Sequence, residues 1–133
     1  INSSMHGKIA YCFHSVPGVS KIGLYTGNQS AADGPFVDVG FKPAFLMHKR
    51  YDTGGQNVGD WRIWDAARDP DNPLQGIAIP NGVVGDAINS AHNVEFMSNG
   101  FRILTADTNI NANNAEYLYI AFAEHPFKYS RGR

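Results

Sequence analysis

The chain of 133 residues has the length of one domain, and its 43% hydrophobic and 17% charged residues exclude both a disordered tail and a chain of membrane-spanning segments. Eleven Lys and Arg residues against twelve Asp and Glu residues give a net charge of -1, so there is no excess of cations to neutralise phosphates. We therefore expect a globular domain that neither binds nucleic acid nor inserts into a membrane.

Short runs of β-branched and aromatic residues, closed by Gly, Pro, Asn or Asp, recur along the whole sequence. No run keeps a 3.6-residue apolar period for three turns, so we expect little helix. The pattern predicts that residues 1–133 form one all-β domain, an antiparallel β-sandwich with a jelly-roll or concanavalin-like (lectin-like) topology. In chain order, the predicted strands lie near residues 8–13, 21–25, 35–39, 44–50, 61–65, 75–79, 94–97, 101–104 and 117–124.

The first run contains the single cysteine, Cys12, between apolar neighbours at 9–13. Its position in the run predicts a buried thiol. One cysteine cannot form an intramolecular disulfide, so packing or assembly must stabilise the fold, as suits a protein made in a reducing cytoplasm. Residues 1–6 lack the basic start and apolar centre of a secretory signal. Because the sequence does not start with Met, we expect it to belong to a longer chain.

Two later segments carry strong strand signals. The tripeptide Ser98-Asn99-Gly100 lies between two apolar runs and predicts a two-residue hairpin. The last run, 117–124, is apolar on both of its alternating faces, which predicts a central strand. Its small Ala121 and Ala123 would let another layer or another subunit approach closely.

The titratable residues give no pattern for catalysis. The five histidines have no spacing suited to zinc, and neither a nucleophile elbow nor a phosphate-binding glycine loop is present. We interpret His48 as a hydrogen-bonded structural histidine. The oxygen-rich segment 69–73 lacks the Gly and the distal Glu of an EF-hand, and we expect a rigid turn capped by its own side chains, with calcium binding left open. The sequence therefore predicts no enzyme, no metal site and no cofactor.

Aromatic and polar residues suited to sugar binding occur in the middle of the chain. Tyr51 and Asp52 precede the segment 60–65, which contains Arg62 and Trp64. Flat aromatic faces can stack on sugar rings while Asp, Asn and Arg bond to hydroxyls. The period of two puts Trp61 on one face of the strand and Trp64, with Arg62, on the other. We predict Trp61 in the core and Trp64 as a contact residue, with Trp64 in the core as the alternative.

A polar segment, 109–114, directly precedes the last strand. Loops of this composition often carry recognition on a rigid β scaffold, although the segment would serve equally as an ordinary connector. The candidate ligand-binding residues are therefore Tyr51, Asp52, Arg62, Trp64, Asn111, Asn113 and Asn114.

A resemblance to a known type of domain covers nearly all of the sequence. The motifs that carry it are IAYCFH at 9–14, GVSK at 18–21, YTGN at 25–28, GFKPAFLM at 40–47, WRIWD at 61–65, FMSNGF at 96–101 and YLYIAFAE at 117–124. In their order and spacing, the chain resembles a C-terminal domain of bacteriophage tail-fibre and other virion structural proteins, especially in marine and freshwater phages. The resemblance implies a place on the virion surface, synthesis in the host cytoplasm, and a longer, virion-attached region before residue 1.

The resemblance also implies partners and a role. We expect a homo-oligomer, a trimer if the domain belongs to a fibre, in contact with other virion proteins. The expected function is host-surface adhesion through weak glycan contacts that many copies multiply. Two alternatives stay open: a structural or decoration domain that joins capsid or tail subunits, and a depolymerising enzyme with paired carboxylates.

Overall fold

The computed structural model describes residues 10–52, 59–82, 87–88 and 90–126 of the chain. Strands form most of the regular structure in these residues, together with one short helix, α1 (Thr108–Asn111), and a 3₁₀ turn at Ser90–His92. None of the helices in these ranges has the length and apolarity needed to cross a membrane. The strands are β1 (Ser20–Thr26), β2 (Phe36–Asp38), β3 (Pro43–Arg50), β4 (Arg62–Asp65), β5 (Gly76–Ile77), β6 (Ala87–Ile88), β7 (Val94–Met97), β8 (Gly100–Ile103) and β9 (Glu116–Ala123).

The strands form two antiparallel sheets with the core between them. The larger sheet has the order β1-β9-β3-β4, the smaller has the order β2-β8-β7, and β5 and β6 form a separate pair. Phe101 of the smaller sheet makes edge-to-face ring contacts with Tyr25 and Tyr119 of the larger sheet. The predicted all-β antiparallel sandwich is therefore confirmed.

The centre of the larger sheet is β9, as the apolar character of both its faces predicts. It pairs with β1 along one edge and with β3 along the other. Tyr117, Tyr119 and Ala121 are buried on the inner, core-facing side. Leu118 and Ile120 point to the opposite side, where they lie beside the outward residues of β1 and β3.

The predicted hairpin and the predicted capped turn are both present. β7 and β8 pair with Met97 opposite Gly100, which leaves Ser98 and Asn99 as the two-residue turn. In the oxygen-rich segment, one Asp69 carboxylate oxygen accepts hydrogen bonds from two backbone N–H groups, of Gln75 at 2.6 Å and Gly76 at 2.7 Å. This carboxylate caps the turn, as expected for a structural loop.

The predicted strand at 8–13 and the predicted buried thiol of Cys12 were both wrong for the residues that the structure describes. Residues 10–13 form no strand, while residues 8 and 9 lie outside the described ranges. Cys12 is exposed, as are Tyr11 and Phe13. Phe13 contacts Phe122 with ring centroids 6.2 Å apart, so the segment lies against the outer side of the larger sheet. Its apolar residues follow the strand pattern because they contact a sheet face, without pairing in a sheet.

Candidate binding surfaces

The predicted contact residues Trp64 and Arg62 are buried on the inner face of the larger sheet. Trp64 pairs with Leu46 and has 0% exposure, and its indole Nε1 donates to the carbonyl of His92 at 2.9 Å. Arg62 is 4% exposed. The predictions of Trp64 and Arg62 as contact residues were therefore wrong, and the alternative, with Trp64 in the core, is confirmed. Trp61, predicted in the core, lies on the outer face instead. The period of two separates the two tryptophans but does not say which face is closed by a second layer.

Beside Trp64, His48 lies in a fully buried aromatic cluster. Its ring is parallel to the rings of Tyr25 and Tyr117, with centroids 6.0 Å and 5.5 Å away, and it meets Trp64 edge-on at 4.8 Å. Tyr25 Oη lies 2.8 Å from the carbonyl oxygen of Ile110, to which it must donate its single proton. The contact of 2.6 Å between Tyr25 Oη and His48 Nδ1 therefore has the histidine as donor.

The hydrogen bonds place a proton on Nδ1 of His48, and the lowered pKa of the ring favours its neutral form. With its proton on Nδ1, the imidazole is left with a bare Nε2, which has no hydrogen-bond partner among the described residues. Burial, and then the charge of Arg62 on the neighbouring strand, hold the pKa of His48 well below its usual value. The interpretation of His48 as a hydrogen-bonded structural histidine agrees with this geometry.

Asn111 has a structural position instead of the predicted contact position. It ends helix α1, is 0% exposed, and accepts a hydrogen bond from the backbone N–H of Asn28 at 2.8 Å. Its amide nitrogen donates to the carbonyls of Thr105 at 2.7 Å and Ser30 at 3.0 Å. It therefore connects three backbone segments and cannot meet a ligand at the surface. No helical period is visible in the sequence because the helix has only four residues. Its start is capped by the Asp107 side chain, which accepts a hydrogen bond from the N–H of Asn109.

The other four predicted residues lie at one end of the larger sheet. Tyr51 and Asp52 directly follow β3, and Asn113 and Asn114 lie just before β9, the strand beside it. All four are exposed. We name this surface the polar end and define it as Arg50, Tyr51, Asp52, Asn113, Asn114 and Glu116.

Hydrogen bonds hold the Tyr51 ring in place at the polar end. Its hydroxyl donates to the Glu116 carboxylate at 2.6 Å, and its backbone N–H donates to the Glu116 carbonyl at 3.2 Å. Arg50 Nε donates to Asp52 at 2.6 Å, and this contact lowers the pKa of the Asp52 carboxyl. The bond to Glu116 raises the pKa of the Tyr51 hydroxyl. The ring is 46% exposed, so an aromatic surface of fixed orientation lies beside two carboxylates.

A second surface, which the sequence did not single out, is an apolar groove of about 650 Å³ on the outer side of the larger sheet. Its floor comes from outward residues of β1, β3 and β9, which pair across the sheet. The signal is present in the apolar alternate positions of β9, from which the sequence pattern predicts only a central strand. The groove is lined by Tyr11, Phe13, Ile22, Met47, Trp61, Pro80, Asn81, Leu118 and Ile120.

Polar contacts fix the Trp61 side of this groove. The backbone N–H of Trp61 donates to Asn81 Oδ1 at 2.9 Å, and the Asn81 amide donates to Asp60 at 2.7 Å. Lys49 Nζ lies 5.7 Å from the centre of the Trp61 ring and donates to the carbonyl of Gly59. Trp61 is thereby held at the surface, and its ring forms one wall of the groove.

The described part of the chain contains no group of three or more His, Cys, Asp or Glu side chains that could hold a metal ion. Neither a curated protein nor a solved structure gave a significant match to the chain. The model of one protein family, described as a domain of unknown function (DUF7483), matches residues 1–126. The chain therefore belongs to the DUF7483 family.

Proposed function

We propose that this chain is a non-catalytic adhesion domain on the surface of a bacteriophage virion and that its polar end binds a neutral host-surface glycan. The observation that carries the proposal is the exposed Tyr51 ring, fixed by Glu116 next to Asp52 at the end of the larger sheet that also carries the exposed Asn113 and Asn114. The location on a virion rests on the resemblance to tail-fibre and virion proteins.

The chemistry of the polar end suits sugar recognition. The C–H face of a pyranose packs on an aromatic ring, while its hydroxyls need acceptors and donors at the edge of that ring. Asp52 and Glu116 supply acceptor oxygens, and the two asparagines add amide donors. Because the bond to Glu116 already fixes the Tyr51 ring, a sugar would bind with little further loss of side-chain entropy.

Charge selects among glycans. The polar end holds one guanidinium, from Arg50, and two carboxylates, from Asp52 and Glu116, and the guanidinium is already bonded to Asp52. An acidic sugar would face a surplus of negative charge, so a neutral glycan fits this surface better. One exposed aromatic ring makes a weak site, and many copies on one particle would raise the overall binding strength.

A glycan array probed with the domain on a multivalent carrier tests this proposal. We expect binding to neutral glycans that falls at least tenfold in Tyr51→Ala and by a smaller factor in Tyr51→Phe, which keeps the ring but loses the bond to Glu116 that fixes it. Phe36→Ala is the matched control, since Phe36 is a similarly exposed ring, 40% against 46%, on the smaller sheet. Absence of glycan binding, or equal loss in Tyr51→Ala and Phe36→Ala, would overturn the proposal.

The apolar groove favours a second candidate function, a structural domain that joins subunits of the particle. Among the described residues, the groove lining contains no charged side chain, and aliphatic residues form its floor. A sugar gains little on such a surface, whereas another protein surface would remove it from water. Chromatography with light scattering, combined with the array, distinguishes the two roles: stable assembly without glycan binding supports the structural role.

A further inference from the structure

We propose that the apolar outer face of the larger sheet binds the same face of a second copy of this chain across a two-fold axis. We define the outer face as Tyr11, Phe13, Ile22, Leu24, Met47, Trp61, Leu118 and Ile120. The proposal deepens the structural candidate above and does not depend on glycan binding.

The first argument is the size of the exposed surface. Tyr11 is 81% exposed, Leu24 is 58% exposed and Phe13 is 56% exposed. At roughly 200 Å² for a large apolar side chain, these three expose about 400 Å², and the partly buried members bring the outer face to roughly 600 Å². That is the upper end of the patches on monomeric proteins, about 300–600 Å². Two such faces would bury about 1,200 Å² together, the lower end of a specific interface.

The second argument is self-complementarity. An interface across a two-fold axis uses one patch twice, so any charge near the axis would meet its own copy. The described residues that line the groove are all uncharged. The charged Lys49 lies on the same face opposite Leu118, with its ammonium group beside the Trp61 ring, so the axis must pass through the uncharged floor and away from Lys49. The groove also has its own complement beside it, because Tyr11 and Phe13 stand at its border with most of their surface in solvent. A two-fold axis can place the aromatic border of each copy in the groove of the other.

The third argument is the geometry of the sheet. The outward residues Ile22, Ile120 and Met47 are direct neighbours across β1, β9 and β3, so they form a continuous apolar row. Sheets pack face to face at about 10 Å through such rows. Inside the chain, the inner face packs in this way against the smaller sheet. The outer face has the same residue types without a second sheet among the described residues.

Sedimentation velocity of the whole chain over a wide concentration range tests the proposal. We expect a reversible monomer–dimer equilibrium. Leu24→Glu should raise the dissociation constant at least tenfold, because it places two like charges near the contact. Ile88→Glu is the matched control: it makes the same change at an apolar residue that is 84% exposed and lies outside the outer face.

A second variant guards against misfolding of the first. Tyr11→Lys lies outside every strand, so it should weaken the dimer while leaving the circular-dichroism spectrum and the melting temperature unchanged at concentrations where both chains are monomeric. A chain that stays monomeric at all concentrations, a dimer that Ile88→Glu weakens as much as Leu24→Glu, or a trimer would each overturn the two-fold contact.

Discussion

The two faces of the larger sheet are both apolar, yet among the described residues only the inner one is covered by a second layer. On the inner face, Leu46 and Trp64 are each 0% exposed beneath the smaller sheet. On the outer face, Leu24 is 58% exposed, and Tyr11 and Phe13 cover the sheet only in part. Residue type alone does not decide which face becomes the core. The second layer decides it, and an apolar face without one is a candidate for binding.

The largest expected contrast is between the two tryptophans. Trp64→Ala should lower the free energy of unfolding by about 3–5 kcal/mol, because it leaves a cavity in a closed core. Trp61→Ala should cost about 1 kcal/mol or less, since the groove is already open to solvent. Urea denaturation at low protein concentration measures both. Equal losses would contradict the assignment of the faces.

A similar contrast exists between Asn111 and Asn113, both of which the sequence predicts as ligand-binding residues. Asn111→Ala should cost about 1–3 kcal/mol, because the Asn28 N–H and the carbonyls of Thr105 and Ser30 lose a buried partner. Asn113→Ala, at an exposed residue, should stay within about 0.5 kcal/mol of the unchanged chain. The same denaturation series compares them. A neutral Asn111→Ala would show that this side chain does not hold the three segments together.

A smaller and graded effect is expected from pH at the inner face. The folded pKa of His48 is below its ordinary value of 6.5, so below about pH 6.5 the unfolded chain binds more protons than the folded one. Stability from this group is therefore full above that pH and falls as the pH is lowered. Unfolding free energies across this range should show a clear decrease.

His48→Phe should flatten this pH profile while keeping an aromatic ring in the cluster. Burial also lowers the pKa of His92, so this residue gives a pH dependence of stability of the same sign. The His92→Asn variant measures its contribution. The charge of Arg62 acts on both histidines, and the charge of Asp107 acts on His92. Neither residue is changed in these variants, so both charges are kept. An unchanged profile in His48→Phe would contradict a buried neutral His48.

Periodic and turn-bounded segments could be predicted from the sequence. The predicted strands at 44–50 and 94–97 agree closely with the observed strands Pro43–Arg50 and Val94–Met97. Long apolar runs and the tight Ser98-Asn99 turn define both the pairing and the register. The strand Ala87–Ile88 was missed, since two residues carry no period. At the start of the chain, the apolar run predicts a strand, although its described residues 10–13 form none and Phe13 contacts the outer sheet face through Phe122.

The candidate site could be predicted only in part. Tyr51, Asp52, Asn113 and Asn114 come together because the end of β3 lies beside the start of β9, a pairing that the sequence pattern does not give. Trp64 and Arg62 were assigned to the wrong side because alternation defines two faces without naming the buried one. The groove escaped prediction because its residues come from separate strands and meet only in the folded sheet.

The most direct test of the difference between the two faces is acrylamide quenching of tryptophan fluorescence in the Trp61→Phe variant, whose only tryptophan is Trp64. With Trp64 fully buried and bonded to the carbonyl of His92, we expect blue-shifted emission that acrylamide barely quenches. At low protein concentration, where the chain is monomeric, the Trp61 signal of Trp64→Phe should in contrast be readily quenched. Emission from Trp64 that is quenched as readily as that of an exposed indole would contradict the closed inner face.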